Sequence, residues 1–512
     1  MRSPARTALL ACAAFSLALS LGASPAASAQ KKVIFTAGAD AQSLDPSLHP
    51  TGTYDALVHV DLYDTLVFQT PDGKIEPNLA TSWKFKDDTT LVFTLRKGVR
   101  YHDGTPFKAE DVKFNFERVI NNKAARWAGY IRMIKSVKVL DDQTVEIKLK
   151  NPYGPILANL AIPVAAMASP AAVKKHGKDF RRRPVGTGPF IFKKWEPGEY
   201  MQFEANPNYW GGRPAIDQLE FRVIPEDTTR VLQLRAGQSH LAMYLPPAQM
   251  QEVEKDPKLD LVSAPLFRVV YIGMNNLIKP FDNPLVRRAM NYAIDTQVIV
   301  DKLMMKTGKH LRGPFGPATW GYDPEFEKMG YSYDPEKAKR LLREAGFPSG
   351  FETDLWHPTG KYTADKIAAE AIQAQLAKVG VKAKLRTGDW GLVAPTIRNG
   401  KAPVYFYGWG VMSGDADMAM YFKFHSSMWG AQGNYDRYKN PVVDKLLEQA
   451  RSTVDAGKRK ALYKEAVKVV IQDAPWVFLK QEVMLVGKSK KLHGVILHPS
   501  ERVYFHKARL DD

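Results

Sequence analysis

The stretch YFYGWGVMSGDADMAMYF, Tyr405 to Phe422, sets Asp415 and Asp417 two residues apart behind a run of aromatics and glycines. Three chemistries fit such a run: a metal site, an acid–base carboxylate pair, or the wall of a small-molecule pocket. A calcium loop needs further oxygen ligands and a downstream glutamate, and none follows at the required spacing. An acid–base pair needs a third group close by, which the local sequence does not supply. Asp, Ser and Gly at a strand exit also make hydrogen-bonded turns, so loop fixing and ligand contact both stay open for Asp415 and Asp417. The aromatics are more specific. Trp409 between Gly408 and Gly410 offers a flat apolar surface beside exposed backbone, which suits a concave site with few polar anchors. In a strand, Tyr405 and Tyr407 share one face and Phe406 and Gly408 the other, so core packing accompanies that reading.

Other catalytic and metal motifs are missing from the sequence. There is no G-x-S-x-G elbow, Walker A loop or G-x-G-x-x-G, and VGTGPF at 185–190 runs into a strand and reads as a turn. None of the eleven histidines forms an H-E-x-x-H pair, and His493 and His498 are not at a chelating spacing. The single cysteine, Cys12, lies in the N-terminal apolar run. No enzyme activity, cofactor or metal is therefore expected.

That N-terminal run is itself informative. Arg2 and Arg6, the apolar TALLACAAFSLALSLGA and the small residues Ala27-Ser28-Ala29 form a cleavable secretory signal over residues 1–29. No later stretch approaches the ~20 apolar residues that span a bilayer. Removing two arginines from a net charge of +18 leaves the exported chain near +16. The basic residues are scattered among 54 acids, and RRRP at 181 and KSKK at 488 are short. A solvated basic surface fits better than nucleic-acid binding. A chain of 512 residues exceeds what one core supports, so two or three domains are expected.

Strands and helices alternate along the whole chain. TLVFTLRKGVRYHDG predicts a strand with Leu91, Phe93 and Leu95 on one face and a turn at Asp103-Gly104. DDQTVEIKLK predicts a second strand, and GPFIFKKW with EYMQFEAN a strand pair. AEDVKFNFERVI puts Val112, Phe116, Val119 and Ile120 on one helical stripe. DTTRVLQLRAG predicts a helix capped by Asp227 and ended by Gly237. Asn283-Pro284, Asp334-Pro335 and Asn440-Pro441 each start a helix, because the cap oxygen satisfies an orphan N–H and proline loses nothing at the first position. FETDLWH, VKAKLRTG, APVYFYGW and APWVFLKQ read as strands, giving an α/β architecture.

Across essentially all of the exported chain, in order, SLDPSLHPTGTYDALVHVDLYDTLV, EPNLATSWKFKDDTTLVFTLRKGVRYHDGTPFKAEDVKFNFERV, VGTGPFIFKKWEPGEYMQFEANPNYWGG, MNNLIKPFDNPLVRRAMNYAID, DPEKAKRLLREAGFP and NPVVDKLLEQAR resemble the family 5 extracellular solute-binding proteins of ABC importers, the dipeptide, oligopeptide and nickel group. The resemblance implies a two-lobed periplasmic-binding-protein fold (type II, cluster C-like) with an additional domain next to lobe I. It implies lobe I from 30–62, 176–277 and 480–512, the additional domain from 63–175, and lobe II from 278–479. Hinges would fall near Asn275-Asn276 and Lys480–Glu482. It also implies a monomeric periplasmic receptor that takes a peptide-like solute between its lobes and hands it to the transmembrane permease subunits, with no nucleic acid and no stable membrane insertion. A non-peptide guest (opine, sugar conjugate, nickel chelate or glutathione-like compound) is the alternative within the same class.

By the same resemblance the pocket is drawn from the loop Thr51, Gly52 and Thr53, from Trp127 and Tyr130, from Asn275, from His357 and Lys361 around LWHPTGKY, and from Gly408, Trp409, Gly410 and Met412. Asp415 and Asp417 follow that last loop. Dipeptide binders of the family carry an Asp three residues after the loop's Trp, facing the peptide's α-ammonium; here Met412 stands there. They carry an Arg after the equivalent of LW; here the nearest cation is Lys361. A buried ammonium with no carboxylate is costly, so either a nearby Asp reaches back or the guest has no ammonium at that place.

Overall fold

The computed structural model describes residues 30–48, 53–125, 127–305, 307–362, 364–430 and 433–511. Residues 1–29, read from sequence as a secretory signal with Cys12, and Thr51 and Gly52, expected from sequence in the pocket, lie outside them. Thr53 opens the helix Thr53–Leu62, and its side chain is likewise outside the described set.

Two unusually long strands organise the chain. Leu259–Met274 and Trp476–Ser489 run antiparallel from Leu259 opposite Ser489 to Gly273 opposite Trp476. Their outer flanks carry different partners at the two ends. At one end Trp476–Ser489 pairs with Leu241–Met243, which leads through Lys32–Ala37 and Gln218–Val223 to Tyr200–Ala205 and Phe190–Glu196. At the other end Leu259–Met274 pairs with Val404–Gly410, followed by Glu352–Pro358 and Lys382–Gly388. Between these ends the register breaks: Pro265 faces Val483, but the next paired residue, Val269, faces Gln481. This bulge lets one pair of strands serve two half-sheets, since an extra residue bends the strand and sharpens its twist.

Side-chain alternation sorts each half-sheet into cores. Val269 and Tyr271 go to one face with Tyr405 and Tyr407, whereas Val270, Ile272 and Met274 go to the other with Val404 and Phe406. Around the opposite half-sheet, Val33, Phe35, Phe221 and Phe203 centre a separate cluster. Each such side chain, fully withdrawn from water, contributes roughly 1.5–3 kcal/mol. A fourth core belongs to the four-stranded antiparallel sheet Ala80–Asp87, Thr90–Leu95, Thr144–Leu149, Ile134–Asp141. Helix Ala109–Asn121 covers it, and Leu91, Phe93, Val112 and Phe116 are fully buried there.

The expected helix starts are in place. Asn283, Asp334 and Asn440 accept from Leu285, Lys337 and Val442 N–H, each with proline next. Asp227 is a correction. The cap of helix Asp227–Arg235 is Glu226, and Asp227 is its first residue, where it pairs with Arg230. That guanidinium is buried and also bonds the carbonyls of Ile224, Met243 and Tyr244, so it draws the acid away from the capping position. Gly237 ends the helix at φ 72°.

Candidate functional site

A cleft of about 520 Å³ opens where the half-sheets meet. One wall carries Tyr54, Arg230 and Tyr244, the other Thr307, Lys361 and Tyr362, and Val483–Leu485 form the floor. Lys361 sits in the loop after strand Glu352–Pro358. Asp365 holds that loop by accepting the N–H groups of Gly360, Lys361 and Tyr362. The ammonium is 5.4 Å from the Trp390 ring and forms no ion pair among the described residues. Desolvation by the walls lowers its pKa, and the positive charge of Arg268 lowers it further, against the pull of Glu501 and Glu482.

Arg268 lies at the end of the strand bulge, opposite Gly410 in the sheet. Its guanidinium bonds Glu482 at 3.3 Å and Glu501 more closely, and Tyr244 donates to Glu501 at 2.9 Å. Burial opposes its charge, but the two glutamates outweigh burial and hold its pKa up. Tyr244 and Glu501 both sit at positive φ, 55° and 67°. Non-glycine residues held there cost about 1–3 kcal/mol each and collect at ligand clamps. Sequence reasoning passed over this cluster. Its one local signal is a charge interrupting an apolar strand run, Arg268 in LFRVVYI and Glu482 in KQEVMLV.

The glycine–aromatic stretch occupies strand Val404–Gly410 and the turn after it. Gly408 donates its N–H to the Tyr362 hydroxyl at 2.8 Å, and a Cβ at that position would lie 2.6 Å from the Tyr362 ring. The loop and the cleft wall are thus in direct contact. Trp409 donates to the Met418 carbonyl at 3.1 Å and is half-buried, and Met412 packs on the same cluster.

Beneath Trp409 lies Lys423, fully buried, with its ammonium 4.7 Å from the Trp409 ring and 4.0 Å from Tyr435. Burial pushes this lysine down to about 7, with Asp436 opposing and Arg398 assisting. The unfolded chain therefore keeps the proton in a pH range where the folded protein has lost it. Stability from this group rises as pH increases from about 7 towards the lysine's ordinary value. Lys423→Met is expected to remove that rise. The stability difference between wild type and variant, measured by urea unfolding at pH 7 and pH 9, should shift in favour of wild type at the higher pH by up to about 1.4 kcal/mol per pH unit.

Asp415 and Asp417 are committed inside the protein. Asp415 caps helix Ala416–Phe424 and pairs with the buried Arg459. Burial raises its pKa while Arg459 pulls it down. Asp417 takes a two-pronged contact from Arg451, 2.9 Å at each nitrogen, and Tyr153 adds a hydroxyl at 3.4 Å. Tyr130 donates to the Met418 sulfur at 3.0 Å and stacks obliquely with Trp127. Gln69 and Gly154 reach the same region, donating to the Ser413 and Arg451 carbonyls. Asn275 is buried and bonds Gly400, and His357 is buried beside the Pro358 carbonyl. Of the residues singled out from sequence, then, Lys361 lines the cleft, Gly408 abuts it through Tyr362, and Gly410 pairs with Arg268. Trp409 and Met412 stand behind, and Trp127, Tyr130, Asp415 and Asp417 brace the loop from outside. Among the described residues no group of three or more His, Cys, Asp or Glu could hold a metal ion, and no helix is long and apolar enough to cross a membrane.

Residues 74–431 match the family described as bacterial extracellular solute-binding proteins, family 5 Middle. The chain is 36% identical over 495 residues to the glutathione-binding protein GsiB of Pectobacterium atrosepticum, covering 94% of this chain and 95% of the relative. Among solved structures, HbpA2 from Haemophilus parasuis superposes with a TM-score of 0.86 at 28% identity, over 94% of this chain and all of that one. The periplasmic binding protein DppA from Helicobacter pylori, in complex with the peptide STSA, gives 0.77 at 30% identity over 94% and 99%. These likenesses show the two-lobed α/β periplasmic-binding fold, and the chain belongs to the family 5 bacterial extracellular solute-binding proteins.

Proposed function

We propose that the protein is a periplasmic, monomeric receptor that captures a peptide-like solute in the cleft between Lys361 and Tyr54 and delivers it to an ABC permease, with no bond made or broken. The observation that carries this reading is the placement of the cleft where two half-sheets share a strand pair, with Lys361, which forms no ion pair among the described residues, on one wall. Glutathione and peptide are the guests named for two of the similar proteins, which supports a peptide-like solute here. In this reading lobe I comprises 30–62, 176–277 and 480–512, the additional domain 63–175 and lobe II 278–479. The strands flex near Asn275-Asn276, at the end of this stretch of lobe I, and near Lys480–Glu482, where the register changes. Closure of the lobes desolvates the guest and strengthens each polar contact. The closed state then differs from the open one at the surface the permease meets.

Mass spectrometry of what copurifies with the protein, followed by a melting-temperature panel that includes glutathione and short peptides, tests this. A guest present at a hundredfold excess over its Kd stabilises the folded state by about 2.7 kcal/mol, and a panel in which no peptide-like compound raises the melting point would count against the reading.

A further inference from the structure

We propose that the basic surface over residues 174–183 docks the protein on the anionic phospholipid headgroups of a bilayer. None of these residues lines the cleft, and docking of this kind goes beyond the receptor reading above.

Local sequence and fold build this surface together. Ser169 caps helix Pro170–His176 by accepting from the Ala172 N–H, and Gly177 ends it at φ 52°. A 3₁₀ turn follows over Gly177–Arg182. Ala172 and Phe180 are the buried anchors of the two segments, and Leu44 N–H donates to the Arg181 carbonyl at 2.9 Å. The remaining side chains face outward: Lys174, Lys175, Lys178, Arg181, Arg182 and Arg183 are all exposed. Side chains three residues apart eclipse in a 3₁₀ turn, so Lys178 and Arg181 stand together on a different side from Phe180. The Arg182 guanidinium lies 3.7 Å from the centre of the Trp195 ring, and the Lys174 ammonium 5.8 Å from that of Phe114. None of the six forms an ion pair among the described residues.

The single acid within the run is Asp179, and the neighbouring elements do not cancel the excess. On helix Ala109–Asn121, which supplies Phe114, Lys113 stands with Glu110 and Glu117, while Arg118 is taken by Asp45. On strand Phe190–Glu196, which supplies Trp195, Lys193 and Lys194 are matched by Glu204 and Glu196. Asp40 accepts from the Trp195 indole and the Gly198 N–H. The surface stays strongly positive. Its chemistry selects the partner. Protein interfaces centre on apolar and aromatic anchors and are poor in lysine. Among the described residues no large apolar side chain is exposed between Leu140 and Leu232, so electrostatic attraction is what this face offers. A layer of anionic headgroups requires nothing more, because each lysine or arginine within about a Debye length adds to binding. The chain as a whole reinforces the attraction, with 72 basic residues against 54 acidic ones. Such docking needs no apolar insertion, and it would confine the search for a membrane-embedded permease to two dimensions.

Flotation with vesicles of phosphatidylcholine, alone or mixed with an equal part of phosphatidylglycerol, tests this. Wild type should bind the mixed vesicles and not the neutral ones, and raising the salt from about 50 mM to about 250 mM should weaken binding at least tenfold. Two fourfold variants remove the same charge from different places. Lys175→Gln/Lys178→Gln/Arg181→Gln/Arg183→Gln spares the two ring contacts and should bind the mixed vesicles at least tenfold more weakly than wild type, with its melting temperature unchanged. Lys384→Gln/Lys401→Gln/Lys439→Gln/Lys445→Gln alters exposed lysines elsewhere and should stay within about twofold of wild type. Should the first variant melt lower, Lys175→Gln/Lys178→Gln carries the comparison and should still weaken binding about threefold or more. Equal losses in the two fourfold variants would assign the binding to net charge and overturn the docking surface. Wild type indifferent to the mixed vesicles at the lower salt would also overturn it. Polyglutamate is the third probe: binding to it that depends on residues 174–183, with none to the vesicles, would make the partner an acidic polypeptide and overturn the lipid assignment.

Discussion

Replacing Arg459 with methionine is expected to destabilise the protein by about 3–5 kcal/mol, because it strands the Asp415 carboxylate in the interior without its partner. Both side chains are nearly inaccessible, 5% and 4%. The loss should be local in origin and wide in effect. Asp415 caps the helix that follows the glycine–aromatic loop, and Trp320 lies 4.4 Å under the Arg459 guanidinium. Arg459 also packs close to Gly154: its side chain lies 2.8 Å from where a Cβ on Gly154 would stand. The double variant Asp415→Leu/Arg459→Met removes both charges and is expected to regain part of the loss, since an apolar pair of similar volume can replace a buried ion pair. Urea unfolding followed by fluorescence would check this. A change below about 1 kcal/mol in the single variant, the range of exposed pairs, would mean that the pair does not brace the loop.

Gly408→Ala is expected to have the largest effect on binding for the smallest chemical change. The added methyl would stand 2.6 Å from the Tyr362 ring, and the chain there cannot yield easily: Gly408 is paired with Val270 in the sheet and donates to the Tyr362 hydroxyl. Tyr362 lies in the loop of Lys361, so it would be driven towards the cleft and carry the ammonium with it. Affinity for glutathione should fall at least tenfold, about 1.4 kcal/mol. Gly410→Ala serves as the control, because its Cβ would meet nothing within 4 Å, and it should bind as wild type does. Equal affinities for the two variants would show that the Tyr362 contact does not shape the site.

Much of the scaffold was legible because it is encoded locally. Asn283, Asp334 and Asn440 announce helix starts through their own short side chains. Leu91, Phe93 and Leu95 alternate as a half-buried strand must. Asp227 misled for a tertiary reason, its capture by Arg230. The site was less legible because its charges meet only in three dimensions. Arg268 and its partners Glu482 and Glu501 are more than two hundred residues apart, and no local pattern marks a bulge that depends on the register of two distant strands. Asp415 and Asp417 read first as loop-fixing residues with ligand contact left open, and Arg459 and Arg451 occupy them in the fold. Met412 and Lys361 stood out only against the family pattern, and Lys361 is the one whose side chain faces the cleft.

Hydrogen–deuterium exchange during a glutathione titration tests the central claim most directly, that the guest is held where the half-sheets meet. Slowed exchange is predicted at Tyr244–Pro247, Leu266–Arg268, Gly360–Tyr362 and Gln481–Leu485, the segments that border the cleft. Saturable binding with protection confined elsewhere, for instance around the separate cavity of about 280 Å³ beside Phe68, Trp210 and Tyr504, would contradict it.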